Sequence, residues 1–297
     1  MPVIDSRVGL TLDRILVATD FTKPSDLAVD YAKVLAKRFS SKLTVTHVVD
    51  LSVAVRSASA AVGFQIDDMR RTGAENMERT LADLRMSGLH ASGQTLESHN
   101  PAAAITGLSQ QLKVDMIVMG TNARHGLSRA ILGSCAEGVI RHATCPVLTV
   151  GPHSRHPTVS HFSFSTVVFA TDLQHDAAEK AATALAISED SSAKVYLCYT
   201  LEKPHHDITS TVDHQIKCEE ALRKFAALSV YECCGVESDV EDGDPATHIL
   251  QLATRVGADL IILGARRSTH WLATLSTGVV GHVLAKAECP VMTVCTS

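Results

Sequence analysis

The sequence lacks several features that would place it in common functional classes. In its 297 residues, no apolar run reaches the roughly 18 residues that a membrane-spanning helix needs. The N-terminus has no basic segment leading into an apolar one, which argues against a secretory signal. The net charge is -5, and the basic footprint of a nucleic-acid-binding protein is absent. We therefore expect a cytoplasmic protein with no membrane or nucleic-acid partner.

Paired cysteines and metal motifs are missing as well. The 8 Cys residues include no Cys-x-x-Cys pair, and Cys145 and Cys289 lie inside apolar segments. This pattern predicts reduced, buried thiols of an intracellular protein rather than a disulfide framework. Neither a His-Glu-x-x-His motif nor a cysteine-pair motif occurs, so the sequence predicts no metal site.

The motifs of two large groups of nucleotide-dependent enzymes are also absent. No Gly-x-x-x-x-Gly-Lys-Ser/Thr loop occurs, which argues against a P-loop enzyme. No Gly-x-Gly-x-x-Gly follows a predicted strand, which argues against a dinucleotide dehydrogenase. A general base is not evident, because a loop histidine such as His125 is usually just solvated. The sequence therefore predicts no dedicated enzyme.

What the sequence does contain is an internal repeat. Segment 114–120 matches 258–264, and segment 145–150 matches 289–294 at the same spacing along the chain. Repeated similarity at constant spacing indicates a duplication. We predict one domain over residues 1–150 and a second over 165–297.

The segment between the two copies, residues 151–164, is predicted to be a linker. It begins with Gly, Pro and polar residues, which favour irregular structure. Its histidines could suggest metal binding, but no ligand spacing recurs there as it does in zinc motifs. An exposed polar linker is the favoured interpretation.

Within each copy, apolar runs alternate with helical patterns. In the first copy, short continuous apolar runs predict strands buried on both faces of a parallel sheet, and longer stretches with helical spacing predict helices. Pro101 suits the first turn of a helix. The element order is βαββαβαβ or βαβαβαβαβ, depending on residues 51–65. Strands are predicted at 15–18, 43–49, 89–96, 116–119 and 146–150, and helices after Thr22, over 66–87, from Pro101 and over 133–143.

This alternation predicts an α/β fold, with two tandem open, mostly parallel, Rossmann-like sheets that carry helices on both faces. Ligands of such sheets bind beyond the carboxyl ends of the strands. The places of interest therefore follow Ala18, Val48 and Met119.

Two of these places carry residues suited to a nucleotide. Asp20 closes the first strand and can accept a hydrogen bond from an exocyclic amine, although a turn or helix-capping aspartate is an equal alternative. Gly133 and Ser134 open a helix whose free N–H groups suit an anion. Arg124 and Arg129 lie in the preceding loop and could cover a phosphate tail. The alternative for this segment is a flexible loop before a helix.

Taken together, these pieces resemble the universal stress protein family, duplicated in tandem. The match extends over nearly the whole chain except the linker and residues 51–65. The loop resembles the family's nucleotide-binding pattern of Gly, two residues, Gly, nine residues, Gly and Ser/Thr. The matching segments are 15–20, 47–50, 119–134 and 141–150.

The resemblance implies the adenine-nucleotide α-hydrolase-like fold and a ligand, ATP, alone or with Mg²⁺. It implies that Asp20 and the backbone near Val49 hold adenine, while Gly120, Gly133 and Ser134 hold the phosphates. The other residues that it assigns to nucleotide binding are Thr19, Met119, Ala123 and Arg124.

Both copies depart from the family pattern. Ala123 stands where the family has its second glycine, and alanine resists a positive φ. In the second copy, Arg267 occupies that position and Thr277-Gly278 replaces Gly133-Ser134. We expect the second site to have been lost after duplication, with binding of another anion by Arg266 and Arg267 as the alternative.

Two functions follow from the resemblance. The first is an ATP-responsive regulatory module of the stress response, with slow hydrolysis left open. The second is a nucleotide-free interaction scaffold. Adenylation is disfavoured because no Ser-Gly-Gly-x-Asp-Ser loop follows the first strand. The resemblance also implies that the last strands, 146–150 and 290–294, pair across a pseudo-two-fold axis, and that two chains can associate as a homodimer.

Overall fold

A computed structural model describes most of both copies. The residues described are 12–52, 62–121, 132–157, 164–171, 194–201, 216, 218–220, 235–266 and 278–296. Among the predicted site residues, Ala123 and Arg124 lie outside these ranges, as do Arg129, His125, Asp172, Arg267 and Thr277.

The described part of the first copy has the order βαβαβαβαβ, because a helix lies between its second and third strands. Every predicted strand and helix forms, with ends displaced by a few residues at most. The elements are β1 (Arg14–Ala18), α1 (Lys23–Phe39), β2 (Lys42–Asp50), α2 (Val62–Met86), β3 (Ala91–Ser98), α3 (Pro101–Leu112), β4 (Met116–Gly120), α4 (Ser134–His142) and β5 (Val147–Val150).

The described part of the second copy repeats this plan. Its α5 begins with Pro245 after an Asp244 cap, as α3 begins with Pro101 after an Asn100 cap. The elements are β6 (Thr166–Ala170), β7 (Lys194–Leu201), β8 (Val236–Asp242), α5 (Pro245–Val256), β9 (Leu260–Arg266), α6 (Val279–Lys286) and β10 (Val291–Thr296).

The strands of both copies form one ten-stranded sheet, in the order β3-β2-β1-β4-β5-β10-β9-β6-β7-β8. Neighbours within a copy are parallel, and the copies meet where β5 and β10 pair antiparallel, with Leu148 opposite Met292. The predicted pairing of the two last strands is confirmed. The two tandem sheets are therefore continuous with each other.

Apolar strands are covered on both faces, as their continuous hydrophobic runs predict. Ile15 and Val17 of β1 pack on one face with Tyr31 of α1, whereas Leu16 packs on the other face with Ile105 of α3. This alternation is the two-residue period of a strand. Both hydrophobic clusters continue across the β5–β10 junction into the second copy.

The segment after β5 is more firmly held than an exposed linker would be. Gly151 and Ser154 are buried, and the Gly151 N–H donates to Ser154 Oγ at 3.1 Å. Tyr31 of the first copy donates to the Arg155 carbonyl oxygen at 2.8 Å, while Arg155 pairs with Glu288 of the second copy at 2.8 Å. The first part of the predicted linker is thus docked onto both copies.

The cysteine prediction is correct in part. Cys135, Cys145, Cys198, Cys218 and Cys289 are free thiols. Cys289 is buried as predicted, but Cys145 is only partly buried.

Candidate nucleotide site

A cleft of about 780 Å³ opens at the carboxyl ends of β1, β2 and β4. This volume lies within the roughly 300–1,000 Å³ range of small-molecule sites. Chain order reverses here, because β1 has β2 on one side and β4 on the other. Six predicted site residues line the cleft, namely Thr19, Asp20, Met119, Gly120, Gly133 and Ser134.

The turn after β1 is organised by its own side chains. The buried Thr19 hydroxyl accepts the Phe21 N–H at 2.9 Å and lies 3.0 Å from Ser25 Oγ. Phe21 adopts a left-handed backbone conformation, with φ of 58°. Thr19 therefore shapes the turn that carries Asp20 to the mouth of the cleft.

Asp20 combines the two roles that the sequence left open. Its Oδ1 accepts from the Thr22 N–H at 3.1 Å and the Thr22 hydroxyl at 2.6 Å, which is the turn-aspartate role. None of the described residues hydrogen-bonds Asp20 Oδ2. One carboxylate oxygen thus holds the turn before α1, and the other is available to a ligand.

Gly120 is required by packing. A Cβ at this position would stand 2.5 Å from the carbonyl carbon and oxygen of Pro24, at the start of α1. Only a residue without a side chain lets β4 end this close to the α1 backbone. The structure thus gives Gly120 a steric role, and the phosphate-binding role that the resemblance implies stays a prediction.

The start of α4 faces the cleft without a side-chain cap. Gly133 is the capping residue, with no side-chain hydrogen bond to the helix, and a Cβ there would meet nothing within 4 Å among the described residues. The first N–H groups of a helix lack intrahelical acceptors and carry a partial positive charge. This end of the cleft is therefore suited to an anionic group.

Thr121 lies between these features and was not predicted from the sequence. Thr121 is 3% exposed and lines the cleft, yet its Oγ1 has no hydrogen-bond partner among the residues that the structure describes. Buried hydroxyls are normally paired, so this shielded oxygen behind the wall of the cleft is an exception. No periodicity or motif distinguishes such a hydroxyl in the sequence.

Cys135 and Asp50 also line the cleft and were missed. Burial raises the pKa of the Cys135 thiol to about 11, with smaller contributions from the charges of Asp20 and Asp50. The thiol is therefore neutral near pH 7. Asp50 ends β2, so its place at the carboxyl end of a strand could have indicated it.

His47 is a further lining residue that orders the wall of the cleft. Its Nδ1 donates to the Thr19 carbonyl oxygen at 2.9 Å, and its ring centroid lies 4.7 Å from that of Phe21. The ring thereby ties β2 to the turn after β1.

Val49 is placed differently from its neighbours. Its side chain is fully buried, while Val48 and Asp50 line the cleft on the opposite face of β2. The lining alternates because successive residues of a strand face opposite sides of the sheet.

The second copy retains a helix start but differs around it. Gly278 is the N-cap residue of α6 and makes no side-chain cap. Its other predicted loop residues lie outside the described ranges, apart from Arg266 at the end of β9, whose side chain is also outside them.

The chain is therefore a doubly wound α/β protein with a cleft at the switch point of its sheet, which is where ligands of such folds bind. The model of the universal stress protein family matches residues 11–151 and again 163–294. The chain therefore belongs to the universal stress protein family, with two tandem copies of its domain.

Individual relatives agree with this assignment. A universal stress protein of Methanocaldococcus jannaschii is 33% identical over 138 residues, which is 46% of this chain and 81% of that protein. A solved universal stress protein of Archaeoglobus fulgidus matches with a TM-score of 0.76 over 97% of this chain and 98% of that one. Its 19% identity makes this a likeness of fold.

Among the residues that the structure describes, no helix is both long and apolar enough to cross a bilayer.

Proposed function

We propose that the protein is a cytoplasmic, ATP-binding regulatory module of the stress response, with the nucleotide held by the first copy. The observation that carries this proposal is the cleft into which the uncapped start of α4 opens. The family, the fold and the location of the cleft at the switch point of the sheet are consistent with it.

The residues of the cleft suit the two ends of ATP differently. Asp20 Oδ2 can accept a hydrogen bond from the exocyclic amine of adenine. The N–H groups at the start of α4 and the Ser134 hydroxyl can donate to phosphate oxygens.

The charges that line the cleft oppose the binding of a free polyphosphate. Its described lining contains two carboxylates, Asp20 and Asp50, and neither lysine nor arginine. A polyphosphate would be repelled unless the helix start, Arg124 or a Mg²⁺ ion compensated for these charges. We therefore propose that ATP binds with Mg²⁺ and more weakly without it.

We further propose that binding, rather than catalysis, is the function of this site. The candidate bases in the described cleft all make structural hydrogen bonds. His47 uses Nδ1 to hold the Thr19 carbonyl, Asp20 uses Oδ1 to hold the turn, and Asp50 Oδ1 accepts the Ser52 N–H at 2.8 Å. Their positions serve the architecture of the site. The continuous β5–β10 junction supports an internal pseudo-dimer as the functional unit, and two chains can associate further as a homodimer.

Asp20→Asn tests the nucleotide proposal with little structural disturbance. The asparagine carbonyl can still accept from Thr22, while its amide group presents N–H to the adenine amine. We expect ATP affinity, measured by equilibrium dialysis, to fall about tenfold or more. Asp83→Ala is the control, since its exposed carboxylate pairs with Lys33 away from the cleft. Equal affinity in both variants would contradict the proposed role of Asp20.

A nucleotide-free interaction scaffold is the second candidate. It is favoured by the two carboxylates of the cleft and by the turn-holding role of Asp20. The same dialysis separates the two functions. Saturable ATP binding by the wild-type protein would rule out the scaffold, and its absence would rule out the ATP module.

A further inference from the structure

The second copy contains a convergent group of ligand atoms from two elements. Asp239 and Glu241 stand two residues apart on β8 and so face the same side of the sheet, and His248 lies in the first turn of α5. One ligand atom of each residue lies within 4.8 Å of the others. The His248 side chain is 3% exposed, that of Asp239 19% and that of Glu241 44%.

The ring of His248 is fixed from both sides. Thr200 Oγ1 lies 2.7 Å from Nδ1, and Asp239 Oδ1 lies 2.6 Å from Nε2. Glu241 Oε2 is 3.9 Å from the same Nε2. Because a threonine hydroxyl can donate or accept, it supports the ring whether Nε2 carries a proton or coordinates a cation.

Arg255 holds the two carboxylates from the outside. Its guanidinium pairs with Oδ2 of Asp239, and its Nη1 lies 3.5 Å from Oε1 of Glu241. The opposite oxygens, Oδ1 and Oε2, are the ones directed towards His248. An outer partner that orients first-sphere carboxylates in this way is typical of metal sites.

The first copy shows that the fold does not require this group. In the first copy, Ala18 pairs with Thr46, which in turn pairs with Gln94. In the second copy, Ala170 pairs with Cys198, which in turn pairs with Asp239. Gln94 therefore stands in place of Asp239. By the same register, Leu96 stands in place of Glu241 and Val48 in place of Thr200.

Comparison of the helices also shows that the first copy lacks this group of side chains. Counting from the proline that opens each helix, Ala104 of α3 corresponds to His248 of α5. Four positions that are uncharged in the first copy thus supply a histidine, two carboxylates and a hydroxyl in the second.

We propose that His248, Asp239 and Glu241 form a binding site for a divalent transition-metal ion such as Zn²⁺. One imidazole and two carboxylates suit Zn²⁺ better than Mg²⁺, and three protein ligands leave a position for water. Zinc bonds of about 2.0–2.2 Å place tetrahedral ligand atoms roughly 3.3–3.5 Å apart. The two distances from Nε2, 2.6 and 3.9 Å, bracket that separation.

The net charge and exposure of the group fit such an ion. Two carboxylates and one guanidinium leave a single negative charge around His248. Glu241 lies on β8, the edge strand of the sheet, and its exposed carboxylate gives the ion a route in from solvent. The site is independent of the nucleotide proposal, since every member belongs to the second copy.

Titration of the chelator-treated, full-length protein with Zn²⁺ tests the site. Competition with a chromophoric zinc indicator should reveal a site that His248→Gln weakens at least about tenfold. His99→Gln is the matched control, because His99 is an exposed histidine of the first copy. It should leave zinc affinity unchanged. Co²⁺ in place of Zn²⁺ should give visible absorption bands that His248→Gln removes.

A second variant distinguishes the loss of a zinc ligand from the loss of folded structure. Glu241→Gln alters a half-exposed ligand at the sheet edge and should also weaken Zn²⁺ binding while leaving the far-ultraviolet circular dichroism unchanged. If His248→Gln and Glu241→Gln both bind Zn²⁺ as the wild type does, the group is an ion-pair network only and the proposal is overturned. Zinc bound only by cysteines elsewhere in the chain would also leave both variants with wild-type affinity, and it would overturn the proposal in the same way.

Discussion

Gly120 and Pro24 pack backbone to backbone, with the position of a Gly120 Cβ only 2.5 Å from the Pro24 carbonyl carbon. Pro24 stands in the first turn of α1, so this approach brings the end of β4 against the start of the helix. The two elements together form one side of the cleft. The loop that resembles the family's glycine pattern therefore begins with a residue needed for packing.

Gly120→Ala should destabilise the protein by about 1–3 kcal/mol, because the methyl group forces backbone apart. The free energy of unfolding in urea measures this effect. Gly107→Ala is the control, since its Cβ would meet nothing within 4 Å and α3 gains helix propensity. Unchanged stability in Gly120→Ala would show that the glycine does not serve packing.

Met292→Ala should cost about 2–5 kcal/mol, because the side chain is fully buried in the cluster that spans the β5–β10 junction. Met86→Ala provides a comparison, since Met86 is 81% exposed and its truncation should change stability by less than about 0.5 kcal/mol. Equal effects of the two substitutions in denaturant unfolding would contradict the continuous core.

The nearly complete prediction of the elements has a physical basis. The runs 15–18 and 116–119, in β1 and β4, are apolar at every position, as strands buried on both faces require, and Pro101 has the fixed φ that a first helical turn needs. Pairing of β5 with β10 followed from the family resemblance. The apolar runs and the proline are local patterns that can be read along the chain, whereas the strand pairing is a property of the whole fold that the resemblance supplied.

Fewer of the residues that line the site could be predicted from the sequence. In β2, Val48 and Val49 are both apolar, so composition could not tell which one faces the cleft. The unpaired hydroxyl of Thr121 and the group around His248 depend on distances between separate elements. Asp239, His248 and Thr200 follow no motif spacing, and only the pairing of β7 with β8 and the position of α5 bring them together.

Cys135 should react slowly with thiol reagents near neutral pH. Its pKa of about 11 keeps the reactive thiolate scarce, so the labelling rate should rise about tenfold per pH unit between pH 7 and 10. Mass spectrometry of the labelled peptide follows this residue separately from the other cysteines. Saturating ATP should slow the reaction, because Cys135 lines the cleft. A rate independent of pH and of ATP would place the thiol in a different environment.

Arg155→Ala should loosen the docking of residues 151–157 with a small effect on global stability. Its ion pair with Glu288 is solvent-exposed, with side chains 65% and 58% exposed, and such pairs contribute about 0–1 kcal/mol. Hydrogen exchange at Ser154 and Arg155 should increase while exchange in β5 stays slow. A loss of several kcal/mol in unfolding free energy would contradict the surface character of this contact.

Isothermal titration of ATP and Mg²⁺ into the nucleotide-stripped protein tests the central claim most directly. We expect one site per chain, lost in Gly133→Val, whose side chain would enter the open space beside the start of α4, and retained in Gly107→Val, whose side chain would point into solvent from α3. Absence of binding by the wild type, or equal binding by Gly133→Val, would contradict an ATP site in the first copy.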